Sequence, residues 1–140
     1  MTRNAPSSLA APAVATPTRR LRQFLALDAV VTGANGLGYA LLAGPLESLL
    51  GVSGDLLRPI GAFLVAYGIA VAVVAGRPTI SRPVVQAIIT ANGLWAAGSV
   101  LALALGALSP TLVGGLWVAA QAVVVGSFAV AQSWALRRLR

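Results

Sequence analysis

The sequence predicts an all-α membrane protein, an up-down four-helix transmembrane bundle with its N- and C-termini in the cytoplasm. Three observations carry that prediction. Hydrophobic residues fill 58% of the 140 positions and charged residues only 9%, where a soluble domain carries about 25%. The apolar residues gather into four long runs, each near or above the roughly 20 residues that cross a hydrocarbon core. Arginine is the only basic residue type, and it falls almost entirely on one side of those runs.

Taken in order, Met1–Thr18 is rich in Ala, Pro, Ser and Thr and shows no period. Such a segment buries too little apolar area to offset its ordering entropy, so residues 1–18 are expected to form a disordered cytoplasmic tail ahead of a transmembrane domain at 19–140. The first span covers about 24–44 and is interrupted only by Asp28. The second covers about 56–76, the third about 84–108 and the fourth about 112–136, the last two without a charge. Barrel strands would be half as long and would alternate polar with apolar residues. Proline marks the boundaries at Gly44-Pro45, Arg77-Pro78, Arg82-Pro83 and Ser109-Pro110, since it lacks the amide proton and disfavours helix in the residue before it. Thr18-Arg19-Arg20 has the outline of a twin-arginine export signal. The apolar run behind it is too long for one, no Ala-x-Ala follows, and three more spans come after, so an anchor for span one is expected.

Orientation follows from the arginines. Arg3, Arg19, Arg20, Arg22, Arg77, Arg82, Arg137, Arg138 and Arg140 share one side, and Arg58 stands alone on the other with Glu47 and Asp55. The positive-inside rule puts the crowded side in the cytoplasm. The same distribution argues against nucleic acid as a partner despite a net charge of +7, because the basic residues punctuate apolar runs and form no polar face. In the outer link, Pro45, Glu47 and Gly51 fit the start, first turn and end of a short interfacial helix, and Ser53 or Asp55 suits a cap for span two.

With no Cys, no His and no Met beyond Met1, disulfides, Cys/His zinc sites, histidine-ligated haem and Ser-His-Asp chemistry are excluded. The chain is expected to be no enzyme and to carry no cofactor. What remains is polarity inside the spans. Asp28, Thr32, Asn35 and Tyr39 recur on one face of span one; Asn92, Trp95 and Ser99 share a face of span three; Trp117, Gln121, Phe128 and Gln132 line one side of span four. These stripes, with Asp28, Thr32, Asn35, Tyr39, Asn92 and Gln121 as the candidate polar face, are expected to look into the bundle, either as interhelical hydrogen bonds or as a cavity. Asp28 lies about 6 Å beyond Phe24 at 1.5 Å per residue, so an ion pair with Arg20, Arg22, Arg77 or Arg82 is expected there. On the outer side Arg58 is expected to hold Asp55 or Glu47.

Small residues repeat every fourth position at Gly36-Ala40-Gly44, Gly68-Ala72-Gly76 and Gly98-Ala102-Gly106, which favours close helix contact within the bundle or between copies. Ala34-Asn35-Gly36-Leu37 recurs as Ala91-Asn92-Gly93-Leu94, a short internal repeat between two spans that run in the same direction.

The stretch from Pro45 to Gly68, with Gly51, Arg58-Pro59-Ile60-Gly61 and Gly68, resembles the DoxX-like group of small four-helix bacterial membrane proteins. That resemblance implies a multi-pass protein of the bacterial cytoplasmic (inner) membrane and picks out Arg58, Gly61 and Gly68. Some members of the group look like membrane subunits of quinone-linked or oxidative-stress complexes. Three functions stay open at this point. One is a non-enzymatic subunit or accessory protein acting through helix contacts in the lipid bilayer. Another is a small oligomeric transporter or channel with a polar pathway at Asp28, Asn35, Asn92 and Gln121. The third, resting on the resemblance, is a membrane subunit of a quinone-linked redox complex. Partners would be the bilayer and either further copies of the chain or a membrane-protein complex.

Overall fold

The computed structural model describes residues 16–139. They form five α-helices and, among the described residues, no strand: α1 (Thr16–Leu41), α2 (Ala43–Leu50), α3 (Gly54–Gly76), α4 (Arg82–Ala104) and α5 (Leu112–Arg137). All but the short α2 are long and apolar enough to cross a membrane. The chain is therefore an all-α four-helix membrane bundle.

The helix ends correct three sequence-based boundaries, one of them the end of the third span, where α4 stops at Ala104 and not near 108. Helix α1 begins at Thr16, so Thr16, Pro17 and Thr18 belong to the bundle and not to the tail. Pro17 fits a first turn because its missing N–H would have no partner there. The remainder of the expected tail, residues 1–15, lies outside the described residues. At the other end α1 stops at Leu41. Pro45 has no proton to offer the Leu41 carbonyl four residues back, so the helix breaks at Leu42 and restarts as α2. Gly51 closes α2 with φ 68°, the left-handed conformation in which glycine avoids a Cβ penalty. Helix α3 is capped twice. Ser53 Oγ accepts from the Asp55 N–H at 3.2 Å, and Glu47 Oε2 accepts from the Gly54 N–H at 3.1 Å.

Thr111 ties the far loops together. Its N–H donates to the Leu50 carbonyl at 2.9 Å, its hydroxyl donates to the Leu49 carbonyl at 2.7 Å, and the same oxygen caps α5 by accepting from Gly114 N–H at 3.1 Å. The α2 turn and the α4–α5 turn thus form one layer across the arginine-poor end.

Packing is uneven around the bundle. Helices α1 and α3 press together over their whole length, α4 packs on α5, and α5 packs on α1, whereas α3 and α4 hardly touch. The helices run α3–α1–α5–α4 in an arc that backbone packing does not close. The α1–α3 seam is tight because glycine removes the Cβ: one added at Gly61 would stand 2.5 Å from Ala40 N and 2.6 Å from Gly36 O. Of the small residues expected to mediate contacts, Gly36 and Gly68 do so, while a Cβ at Gly44, Gly76, Gly98 or Gly106 would meet nothing within 4 Å.

Two apolar clusters divide the interior. At the arginine-rich end Leu21, Leu25, Val71, Val85, Ile88, Ala135 and Leu136 form a closed core. At the opposite end Ala43 and Leu50 of α2 pack with Tyr39, Val52, Leu57 and Leu64.

Candidate functional site

Between those clusters lies a polar knot. The register of α1 turns Asp28 into the bundle, where it is fully buried. Its Oδ1 accepts from Thr32 Oγ1 at 3.0 Å, one helical turn along. Its Oδ2 accepts from Asn92 Nδ2 of α4 at 2.6 Å and from Gln132 Nε2 of α5 at 2.8 Å. Helix α3 joins through Tyr67, whose hydroxyl lies 3.0 Å from Asn92 Oδ1 and 3.2 Å from the Ile88 carbonyl and donates its proton there. All four long helices contribute, and no buried side-chain nitrogen or oxygen among the described residues lacks a partner.

This arrangement overturns the expected ion pair at Asp28. Arg22 donates to the Ala75 carbonyl at 2.6 Å and to the Pro78 carbonyl at 2.8 Å. Arg82 donates to the Leu136 carbonyl at 3.3 Å. Both guanidinium groups serve the C-terminal ends of helices, where free carbonyls and the negative end of the helix dipole attract them. Arg20 and Arg138 flank the Trp134 ring, 5.7 and 4.4 Å from its centroid. Leu21, Leu25, Val85 and Leu136, all buried, stand on the arginine side of Asp28. Depth along the helix had suggested reach to the arginines; the helical register denies it.

A second set of polar groups climbs from the knot toward α2. Gln121 Nε2 donates to Asn35 Oδ1 at 3.2 Å and to the Tyr39 hydroxyl at 2.6 Å. Trp117 Nε1 donates to the same hydroxyl at 2.9 Å. The two asparagines of the internal repeat thus each meet a glutamine of α5, Asn35 with Gln121 and Asn92 with Gln132. Ser99 stays on its own helix, donating to the Trp95 carbonyl at 2.7 Å.

These groups form the wall of a cavity of about 960 Å³ in the arginine-poor half. Leu46, Leu49 and Leu50 roof it; Thr32, Asn92 and Tyr67 form its floor; Asn35, Tyr39, Trp117 and Gln121 line one wall. Its volume falls at the upper end of the 300–1,000 Å³ typical of small-molecule sites. The space is open-sided, with Val30, Leu94 and Val113 of its lining exposed. On the α3–α4 side rings rather than backbone span the gap: Phe63 lies 6.1 Å from Tyr67 and 6.2 Å from Trp95, both near-parallel.

The structure brings together all six residues of the candidate polar face. Sequence reasoning placed Gln132 on a stripe without joining it to Asp28, and it passed over Tyr67 although that residue is the one hydroxyl in the middle of span two. The outer ion pair is simpler than expected. Arg58 Nη1 reaches Asp55 Oδ1 at 3.4 Å with the side chains 59% and 96% exposed. The contact is single and one-pronged, and Glu47 is engaged elsewhere as the α3 cap. Gly61 and Gly68, singled out by the resemblance, serve the α1–α3 seam. Among the described residues no group of three or more acids could hold a metal ion. No protein-family model, curated protein or solved structure matches the chain.

Proposed function

We propose that this chain is a non-enzymatic integral membrane protein that takes a small, largely apolar molecule from the bilayer into the cavity and handles it there. One observation carries the reading. Asn35, Asn92 and Gln121 line the wall and floor of a cavity of about 960 Å³, with Asp28 buried one hydrogen bond behind Thr32 and Asn92, where helix glue alone would favour filled contacts. Hydrogen-bonding capacity remains in that wall: among the described residues, Asn35 Nδ2 and Gln121 Oε1 have no partner. The weak contact between α3 and α4, spanned by Phe63, Tyr67 and Trp95, supplies a lateral way in from lipid. This favours the transporter or carrier class over an accessory role built on helix contacts.

The arginine distribution supports an orientation with the cavity in the outer half of a bacterial cytoplasmic membrane. A quinone-linked role rests on the DoxX-like resemblance, and the resemblance in turn rests on Arg58, Gly61 and Gly68.

Purification in mild detergent with mass spectrometry of bound small molecules tests the reading. Gly38 lines the cavity, and a Cβ there meets nothing within 4 Å, so Gly38→Phe fills the space without touching the seam. A molecule retained by the wild type and missing from folded Gly38→Phe supports the reading. Identical bound molecules in both sink it.

A further inference from the structure

The cavity and the knot below it share Thr32 and Asn92, and the sharing bears on charge. The two oxygens of Asp28 accept three hydrogen bonds, from Thr32, Asn92 and Gln132. Three donors aimed at a carboxyl group suit its ionised form, which only accepts. Yet among the described residues no cation pairs with it. The one salt bridge among the described residues joins Arg58 to Asp55 at the surface, and Arg22 and Arg82 are held at helix ends by carbonyls. The apolar core closes the arginine side. A buried charge without a counter-charge is costly, and in apolar surroundings its field is weakly screened. Toward the cavity, Thr32 and Asn92 both hydrogen-bond Asp28 and line the open space.

The cavity fits the missing partner. No residue lining it carries a positive charge, and Phe63, Tyr67, Trp95 and Trp117 contribute ring surface to it. Aromatic faces attract cations, most strongly where water is excluded. A hydrated metal ion gains nothing from leucine and valine walls. A hydrophobic body carrying one delocalised charge gains from walls, rings and field together. Resting on the reading that the cavity holds a small molecule, we infer that its ligand is a lipophilic monovalent cation, neutralised by Asp28 across Thr32 and Asn92. A single carboxylate sets the charge at one, and the lining sets the apolar body.

Tetraphenylphosphonium and tetraphenylborate have nearly the same shape and opposite charge, which isolates the electrostatic claim. Both are measured by equilibrium dialysis against the full-length protein in nonionic micelles, with protein-free micelles as baseline. The wild type should bind the phosphonium at least tenfold more tightly than the borate. Asp28→Asn should lower phosphonium affinity at least tenfold. Because Asp28→Asn disturbs a buried network, Gln121→Lys provides a second arm. It places a positive charge on the half-buried cavity wall and should abolish phosphonium binding while strengthening borate binding. Equal affinity for the two ions, removed by Gly38→Phe, overturns charge selection and leaves the cavity reading standing. Absence of phosphonium binding, or phosphonium binding unchanged in Gln121→Lys, also overturns the inference. The cavity reading itself falls only by the co-purification experiment above.

Discussion

The two halves of this bundle are built from the same four helices and solve opposite problems. In the arginine-rich half, leucine and valine fill the space between helices and arginines bind the exposed carbonyls at the helix ends. In the other half the helices part on the α3–α4 side, and the space is bounded by α2, aromatic rings and amide side chains. The difference lies in which seams are glycine-tight. Glycine holds α1 against α3 throughout, while α4 lacks a glycine contact with α3 and leans on α5. One pair of helices is thereby locked and the other is left free to stand away.

The comparison breaks most severely at the seam. Gly61→Leu forces a side chain into the backbone of α1, and overpacking of this kind costs about 1–3 kcal/mol or more. Thermal unfolding in detergent should show the largest drop of any single change, with loss of the folded bundle as its extreme. Gly38→Ala, on the same helix as Gly36 but facing open space, should by contrast raise stability by up to about 1 kcal/mol through helix propensity. If both glycines respond alike, the tight and open faces of α1 have been misassigned.

Amide loss gives the next contrast. Gln132→Leu removes one of the donors to buried Asp28, and a buried group left short of a partner costs about 1–3 kcal/mol. Gln121→Leu removes bonds that face the cavity, where membrane hydrogen bonds average about 0.6 kcal/mol. Denaturation of the two variants side by side should rank Gln132→Leu well below Gln121→Leu. Equal losses would place the knot and the cavity wall in the same environment.

Arg58 gives the smallest effect. Its single contact with Asp55 is open to water or headgroups, and exposed ion pairs of this kind contribute about 0–1 kcal/mol. Arg58→Lys should match wild type in thermal unfolding. A clear drop would mean that the guanidinium fork holds more than one partner, since a lysine ammonium replaces a point charge but not a fork.

Orientation can be checked independently of stability. The chain has no cysteine, so single Cys residues at Thr79 and Ser53 report without background. An impermeant thiol reagent on intact cells should label Ser53→Cys and spare Thr79→Cys, as the arginine distribution requires. The reverse pattern would place the cavity in the inner half.

The sequence by itself determined the class of fold, the four spans and the faces that carry polar residues. Each is a local consequence of composition or period: a run of apolar residues spans, proline interrupts, and residues three and four apart share a face. Gly51 was legible for the same reason, because one left-handed residue ends a helix. Asp28 shows where that legibility stops. Distance along the chain put it near arginines, but the direction of a side chain around the helix, and the neighbours it then meets, come from four helices packing at once. Which glycines lie in a seam and which in open space is also invisible locally, since Gly36 and Gly38 differ only in the side of α1 they occupy. The cavity is the clearest case. It exists because α1 is tight on α3 while α4 is held by α5, and a void between helices is a property of their arrangement that no single segment encodes.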